Sequence, residues 1–524
     1  MHRLTLLALL GCLTLPLVCP AQRDSWVRVS DQEKSIKDVP GSPGADAIQL
    51  YYYQFIDDNS YNNNAEWDYR RIKILTEKGK ERADVHILLG DGFHVRDLKA
   101  RTIHPDGSIV DFTGKVFDTV AVKGNGVNVH SASFTFPDVT VGSIIEYRYK
   151  LDYPGNVVFL HIWDLQHELY TLKEQFKIIA YSGGLQNVKG MTGLSASYNL
   201  PPGVKLQRKS DGYELEMENM APFQPEPFMP PPQPYRYRVT LRYGDQSMAK
   251  AEKFWNQIGL KAYEDTESFI GNHKEIGQAA SQAVAGEADP EKKLRKLYAR
   301  VQQIRNLSYE RTRTQAEEKK EDLKTNNNVV DVLQHGYGTS KDITLLFAAM
   351  ARADGFGAIV ALSTDRSEQI FEPTLLEEWQ LAAPVVMVNS TGKQFLLDPG
   401  TRFCPFGSLR WYRTATQALL LEKNGGVMVN IPLASHTQAV LERNADVQIA
   451  EDGTLTGDVT VRYGGYEGME RRLGALNTDE AGRNKRLENE LKRWLPNGSV
   501  VKVKDAQPWD KSEEPLVAHF TIQV

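Results

Sequence analysis

The chain has 524 residues, of which 41% are hydrophobic and 25% charged, and its formal net charge at pH 7 is −5. This composition is typical of a globular protein, and the length is sufficient for about three domains. Because the charge is mild and no long basic stretch occurs, we expect neither a nucleic-acid partner nor polybasic binding to a membrane surface.

Residues 1–21, MHRLTLLALLGCLTLPLVCPA, have the layout of a secretory signal peptide. Arg3 supplies the positive start, residues 4–18 the apolar segment, and Ala21 a small residue at the cleavage site. A membrane-spanning helix is the alternative, but the apolar segment is short and contains Pro16. We therefore expect an exported protein, periplasmic or extracellular, with no integral membrane segment once the leader is removed.

Only one cysteine remains after such a leader is removed. Cys12 and Cys19 lie within it, so an intramolecular disulfide is impossible in the mature chain. Cys12 could carry a lipid anchor, although the apolar segment before it would be too short. Cys404 could be a nucleophile, but it precedes a proline and has no helix start around it, so we interpret it as a buried structural thiol.

Residues 24 to about 220 have the aromatic and β-branched content of strands. The predicted strands are 48–56, 66–76, 95–103, 133–136 and 144–151, with turns at 105–107 and 124–126. We expect an antiparallel, sandwich-like β-domain here.

Two polar clusters in this region invite a metal-binding interpretation. His161, Asp164 and His167 fit no standard zinc or facial-triad spacing, so polar residues at a strand edge are the favoured interpretation. The segment 57–64 lacks the glycine and the closing glutamate of a calcium-binding hand loop, which favours a polar loop. No metal and no cofactor are expected.

Residues 222–234, PFQPEPFMPPPQP, predict an extended, semi-rigid linker. The alternative, a PxxP ligand, needs a signalling domain that an exported protein rarely meets. A strand is predicted at 235–243, followed by helices over 249–305 and a charged, then asparagine-rich, exposed loop at 312–328. One buried helical stripe is predicted at Leu294, Leu297, Val301 and Ile304.

Residues 331–355, DVLQHGYGTSKDITLLFAAMARADG, predict a short turn that leads into an amphipathic helix. The helix should begin at a capping box formed by Thr339 and Asp342 and end near Gly355. Its apolar face is predicted to consist of Ile343, Leu346, Phe347, Met350 and Ala353.

Ser340 is placed by this pattern at the N-terminus of the helix. The helix dipole would lower the pKa of a cysteine there and make it a nucleophile. A serine hydroxyl gains almost nothing from the dipole and needs an adjacent base.

The stretch 336–362, GYGTSKDITLLFAAMARADGFGAIVAL, resembles the core of the bacterial transglutaminase-like superfamily, whose pattern is roughly G-x-G-D-C-K-D followed by an apolar helix and a strand. QFLLDPG, which contains Asp398, resembles the strand end that carries the aspartate of the family. The resemblance implies that the Cys-His-Asp triad of the family reads Ser340, Ala383 and Asp398 here, with Ala382 as the less favoured histidine position.

Two of the three catalytic groups are therefore absent by resemblance, and Thr339 stands where the family has an aspartate. Losing a triad nucleophile or base costs on the order of 10⁴–10⁶ in rate. His335 is the nearest histidine in sequence, and a Ser340–His335–Asp398 set would restore a hydrolase. A residue five positions before a helix usually points away from its N-terminus, and no G-x-S-x-G elbow occurs.

Further cleft candidates are the residues that surround Ser340 in sequence, namely Tyr337, Gly338, Thr339, Lys341 and His335. Asp398 also has an ordinary interpretation, because Asp-Pro-Gly is a turn sequence in which the aspartate can bond its own turn amides.

The segments RTIHPDGSIV (101–110) and FTFPDVTVGSIIEYRY (134–149) resemble an uncharacterised β-domain that precedes transglutaminase-like cores in exported bacterial proteins. This resemblance implies an architecture and no function.

After about residue 436 strands return, at 439–450 and 454–463. A charged helix at 479–495 is then predicted, with Leu487, Leu491 and Trp494 as its apolar face, and two further strands follow. We expect a mostly-β domain that is shortened or truncated, with an exposed sheet edge.

The predicted fold is α+β, with a papain/transglutaminase-like core (236–430) between an N-terminal β-domain (22–235) and an incomplete C-terminal β-rich domain (431–524). We expect a non-catalytic protein that binds an extended peptide or glycan in a degenerate active-site groove. The alternative is an amidase, peptidase or acyl transferase acting through Ser340, and a purely structural role also stays open.

Overall fold

A computed structural model describes residues 25–59, 65–90, 92–124, 127–153, 160–181, 193–244, 250–310, 321 and 323–524. The predicted leader with Cys12 and Cys19, and parts of the loops and turn predicted at 57–64, 124–126 and 312–328, lie outside these residues. The described residues divide into two compact units: the first joins those up to 189 with 200–224 and 237–243, and the second contains 190–199, 225–236 and 244–524.

A short helix, α1 (Asp31–Ser35), precedes the strands of the first unit. The strands of residues 47–244 are β1 (Ala47–Asp57), β2 (Ala65–Ile74), β3 (Asp84–Leu89), β4 (His94–Ile103), β5 (Ile109–Asp111), β6 (Phe117–Gly124), β7 (Val127–Thr135), β8 (Ile144–Asp152), β9 (Leu160–Asp164), β10 (Thr171–Ile179), β11 (Gly193–Asn199), β12 (Gln207–Arg208), β13 (Gly212–Met220) and β14 (Arg238–Gly244).

Two sheets of the first unit face each other across an apolar core, which makes the unit sandwich-like. The larger sheet has the order β12-β13-β10-β1-β2-β8-β4-β5, and the smaller has the order β3-β7-β6. Tyr147 and Ile145 of the larger sheet pack with Phe134 and Ile87 of the smaller one. The pairing of β1 with β10 is parallel, whereas the other pairs of both sheets are antiparallel.

The helices of the second unit's core surround a single central one. They are α2 (Ala251–Ile270), α3 (Lys274–Ala283), α4 (Pro290–Gln302), α5 (Val329–His335) and α6 (Ser340–Ala353). Residues 343–351 of α6 are all buried, so the predicted core-facing helix is buried on every face along this stretch and not only on its apolar face. Ala353, predicted on the apolar face, is exposed.

The strands around this core begin with β15 (Arg305–Asn306) and β16 (Tyr337–Gly338), which pair with each other in parallel. A five-stranded antiparallel sheet follows, with the order β19-β18-β17-β20-β21. Its strands are β17 (Gly357–Ser363), β18 (Ala383–Ser390), β19 (Lys393–Leu397), β20 (Thr416–Glu422) and β21 (Gly425–Ile431). Leu346 and Phe347 of α6 pack against Val386 of this sheet, and Leu294, Leu297 and Val301 of α4 complete the core.

The C-terminal part of the second unit is a four-stranded antiparallel sheet with two helices. In chain order its elements are β22 (Ala439–Ile449), β23 (Leu455–Gly465), α7 (Tyr466–Gly474), α8 (Glu480–Lys492), β24 (Val500–Gln507) and β25 (Leu516–Gln523). Leu487 and Leu491 of α8 are buried against this sheet. Trp494 was predicted to share their apolar face, but 68% of its surface is exposed because α8 ends at Lys492.

Other differences from the sequence expectations concern short elements. The short turn predicted from residue 331 is wrong in part, because residues 331–335 belong to α5, whose first amide groups are capped by the Asn328 side chain. The helix α7 was not expected at all. The strand expected from 235 begins at Arg238, because residues 233–235 form a single turn of 3-10 helix that contains Pro234. Among the described residues, no helix is both long and apolar enough to cross a membrane.

Candidate active site

The N-terminus of α6 is fixed by reciprocal hydrogen bonds. Thr339 has extended backbone angles and its hydroxyl accepts from the Asp342 amide at 3.2 Å, while the Asp342 carboxylate accepts from the Thr339 amide at 3.0 Å. These bonds satisfy donors that a helix start leaves unpaired. Ser340 is therefore the first residue of a buried helix, with its side chain partly exposed.

Ser340 is contacted by polar groups from the end of β15 and the turn that follows it. Its amide donates to Ser308 Oγ at 3.0 Å, and its own Oγ lies 3.4 Å from both Oδ1 and Nδ2 of Asn306. The same Asn306 amide group donates to the Gly400 carbonyl at 2.9 Å. An amide cannot remove a proton from a hydroxyl, and general-base catalysis needs a base within about 2.6–3.2 Å or one water.

Asp398 follows β19 directly and is fully buried. One carboxylate oxygen lies 2.8 Å from Arg413 Nη1, and the other accepts from the Thr401 hydroxyl at 2.8 Å. Burial alone would lower the pKa of the Arg413 guanidinium, but Asp398 together with Tyr412, Tyr309 and Cys404 outweighs burial, so the pKa lies above its ordinary value. Asp398 therefore pairs with Arg413 and accepts hydrogen bonds from Thr401 in its own turn.

The loop after Asp398 packs directly on the start of α6. A Cβ atom at position 400 would lie 2.3 Å from the Ser340 carbonyl oxygen and 2.5 Å from Thr344 Oγ1, so only glycine fits there. This contact and the Asn306 bridge place Ser340 beside the Asp-Pro-Gly segment.

Ala383 is the first residue of β18. Its carbonyl accepts from Ser363 Oγ at 3.0 Å, and Val386 of the same strand pairs with Leu397. Asp398 therefore follows β19 at the end of the sheet where β18 begins. Ala382 and Pro384, on either side of Ala383, line a groove that also contains Lys341.

His335 does not approach Ser340 within hydrogen-bond distance. Its Nδ1 lies 2.7 Å from Asn326 Oδ1, and its ring stacks on Tyr337 with 5.3 Å between centroids. The Tyr337 hydroxyl in turn bonds the backbone of Lys324. Every histidine except His2 lies within the described residues, and none of these is a hydrogen-bond partner of Ser340.

A groove of about 360 Å³ runs beside the first turn of α6 and the start of β18. Its floor is apolar and is formed by Ile258, Leu345, Val360, Leu362, Leu381 and Pro384. Lys261, Lys341, Asp265 and Glu378 bring both signs of charge to its walls, and Trp379, 47% exposed, lies at its edge. Lys341 is therefore a groove residue, whereas Gly338 is buried beside Val332 and Asp342.

Cys404 is fully buried and its Sγ contacts the Ser408 carbonyl at 3.3 Å. Burial raises the pKa of this thiol well above its ordinary value. A thiol that cannot ionise is a poor nucleophile, which agrees with a structural role.

The histidines considered for a metal each have a carboxylate partner. His161 Nε2 lies 2.8 Å from Asp58 Oδ2, and His167 Nε2 lies 3.2 Å from Glu174 Oε2. Within the described residues, no group of three or more His, Cys, Asp or Glu side chains is arranged to hold a metal ion.

Four contributors to this site were not found from the sequence. Asn306 and Ser308 lie more than 30 residues before Ser340, and Arg413 lies 15 residues after Asp398. Trp379 lies in a single turn of 3-10 helix (Glu378–Gln380) that precedes β18. Asn306 and Ser308, which follow the predicted helices directly, are a weak signal. Nothing local identifies Arg413 as the partner of Asp398.

Comparison with known families agrees with this architecture. Residues 277–389 match the transglutaminase-like superfamily, so the second unit contains a transglutaminase-like core. Residues 63–224 match DUF3857, described as a domain of unknown function with a solved structure. The chain is thus a DUF3857 domain followed by a transglutaminase-like core, as the sequence resemblance predicted. Asp398 lies nine residues beyond the matched part of the core.

Two solved structures show weak similarity. One is a crystal structure from Parabacteroides distasonis described provisionally as a protease, with 11% identity, a TM-score of 0.47, and coverage of 91% of this chain and 93% of that chain. The other concerns β-hairpin motifs in DNA duplex opening by the Rad4/XPC nucleotide excision repair complex, with 13% identity, a TM-score of 0.21, and coverage of 37% and 52%. Neither similarity is strong enough to assign an activity to this chain. No curated protein sequence matches it.

Proposed function

We propose that this protein is an exported, non-catalytic relative of transglutaminase-like enzymes that binds an extended peptide in the groove beside Ser340. The observation that carries the proposal is the pairing of the triad positions: Ser340 Oγ faces the Asn306 amide, and the Asp398 carboxylate faces Arg413. Neither arrangement supplies a base for the hydroxyl. Export is supported by the leader-like composition of residues 1–21.

The lining of the groove favours a peptide. An apolar floor accepts one or two apolar side chains, and walls of mixed charge can bond backbone amides and carbonyls without demanding a charged ligand. Trp379 at the edge is a rigid aromatic contact of the kind that dominates binding energies at interfaces.

The competing function is an amidase, peptidase or acyl transferase that acts through Ser340. Its support is the position of Ser340 at the start of a buried helix, beside the segment that carries Asp398. That function requires a base which ligand binding would have to bring to the hydroxyl.

The test uses the chain from residue 22 with three probes: arrayed extended peptides, arrayed oligosaccharides and a fluorophosphonate that acylates activated serines. We expect peptide binding that Trp379→Ala weakens about tenfold or more, with no acylation of Ser340. Trp494→Ala is the matched control, because Trp494 is another exposed tryptophan outside the groove. Labelling that disappears in Ser340→Ala would overturn the non-catalytic assignment, and binding to glycans alone would overturn the peptide assignment.

A further inference from the structure

A second cavity lies between α7, α8 and the segment that follows β24. Its volume is about 390 Å³. Four arginines line it, namely Arg471, Arg483, Arg486 and Arg493, together with two glutamates, Glu470 and Glu490. Trp509 and Leu487 supply the apolar part of the lining.

The arginines of α8 recur at helical spacing. Arg483, Arg486 and Arg493 are three and seven residues apart, which puts them on one face of the helix and its last turn. Glu490 lies on this face as well. Guanidinium groups along one helix face repel one another unless an anion lies between them.

Both glutamates of the cavity are already engaged. Glu490 accepts from Arg471 of α7 through both carboxylate oxygens, at 2.6 and 3.3 Å, and Glu470 pairs with Arg410 at 3.0 Å. Among the described residues, no carboxylate pairs with Arg483, Arg486 or Arg493. The cavity therefore presents three guanidinium groups whose charge the protein does not neutralise.

Two of these arginines, Arg483 and Arg486, are held in position by contacts within the protein. Arg483 lies over the Trp509 ring, 5.1 Å from its centroid, and its Nε is buried without a hydrogen-bond partner in the described structure. Arg486 donates to the Gly474 carbonyl at the end of α7 and has further donors left over. A buried N–H with no acceptor costs free energy, which an incoming acceptor would recover.

We propose that this cavity, which we call the arginine pocket, binds a small molecule that carries a phosphate or sulfate group. The planar forks of Arg483 and Arg486 offer paired donors to the oxygens of such a group, and Arg493 adds a third charge. Trp509 and Leu487 leave an apolar wall for the rest of the ligand, since the cavity is larger than one oxyanion requires. This assignment does not depend on the groove beside Ser340.

The experiment is isothermal titration calorimetry of the chain from residue 22 with inorganic phosphate, sulfate and acetate, with sodium chloride holding the ionic strength constant. We expect saturable binding of phosphate or sulfate and weaker binding of acetate. Arg493→Gln removes an exposed charge without a structural partner and should weaken phosphate binding about tenfold. Arg483→Lys keeps the positive charge but loses the planar guanidinium with its paired donors, and should weaken phosphate binding as well.

Lys485→Gln is the control, because Lys485 lies on α8, is exposed and does not line the pocket. It should leave phosphate binding unchanged. Equal weakening by Lys485→Gln and Arg493→Gln would show that only the general field of the helix attracts anions, and this would overturn the proposal. Absence of saturable phosphate or sulfate binding, or preference for acetate, would overturn it too. Retained thermal stability of each variant excludes misfolding as the cause of a loss.

Discussion

Arg413 Nη1 lies 2.8 Å from Asp398 Oδ1, and the two side chains are 13% and 0% exposed. In a Cys-His-Asp triad the carboxylate orients an imidazole, whereas here it neutralises a buried guanidinium. The same aspartate therefore has a stabilising role that requires neither a nucleophile at position 340 nor an imidazole at position 383.

Removing the arginine should destabilise the second unit. Arg413→Met leaves the Asp398 carboxylate buried without its countercharge, which costs about 3–5 kcal/mol in comparable buried pairs. Urea unfolding should show a loss of this size in the free energy of unfolding, and the double variant Arg413→Met, Asp398→Asn should recover part of it. The control is Arg462→Met, which breaks the exposed pair with Glu442 and should cost less than about 1 kcal/mol. Equal costs for the two single variants would contradict the assigned role of Arg413.

Whether residues 340 and 383 face each other can be tested by introducing a cysteine and a histidine at these positions. In Ser340→Cys the new thiol lies at the N-terminus of α6, where the helix dipole favours the thiolate, and its rate of reaction with iodoacetamide near neutral pH is the reference rate. Adding Ala383→His should raise that rate and shift its pH profile to lower pH, because a nearby imidazolium stabilises a thiolate. If the double variant reacts no faster than Ser340→Cys alone, Ala383 is not the position that faces residue 340. The same experiment with Ala382→His distinguishes the two candidate positions.

A methyl group at position 400 should disturb the start of α6. Gly400→Ala places Cβ 2.3 Å from the Ser340 carbonyl oxygen, a distance that only backbone movement can relieve. We expect a loss of about 1–3 kcal/mol of stability. The matched control is Gly277→Ala inside α3, where a Cβ has no neighbour within 4 Å. That change should stabilise the protein by about 0.5–1 kcal/mol, so thermal unfolding of the two variants should shift in opposite directions.

Glu174 of β10 should make the stability of the first unit depend on pH. Burial raises its pKa to about 9, although Arg70 partly opposes the rise. Because the unfolded chain releases this proton near pH 4.5, the folded state binds more protons between these values, and stability falls as pH rises from 5 to 9. Glu174→Gln should remove that slope in urea titrations.

The control for this slope is Glu216→Gln on β13. The Lys173 side chain lowers the pKa of Glu216, so this carboxylate is ionised in both states above pH 5. Its replacement should leave the slope of the wild-type chain in place. A slope that survives Glu174→Gln would mean that another buried group is responsible.

Local patterns in the sequence were sufficient for the elements that position Ser340. The capping box of Thr339 and Asp342, the strand that begins at Ala383 and the strand that ends before Asp398 are all signalled within a few residues. The burial of residues 343–351 on every face of α6 was not signalled, because alanines and threonine on its other faces are compatible with either environment. Burial there depends on helices α3, α4 and α5, which pack around it.

Contacts between distant residues could not be predicted in the same way. The pairing of Arg413 with Asp398, and of Asn306 with both Ser340 and Gly400, joins segments that only the folded chain brings together. The parallel pairing of β1 with β10 has the same origin, since strand-forming residues do not specify the partner or its direction.

The absence of a side chain at Gly400 has a mechanical consequence. Because there is no room for a Cβ beside the Ser340 carbonyl and the Gly400 carbonyl accepts a hydrogen bond from Asn306, a bulkier residue at position 400 would require the first turn of the central helix and the loop after Asp398 to separate.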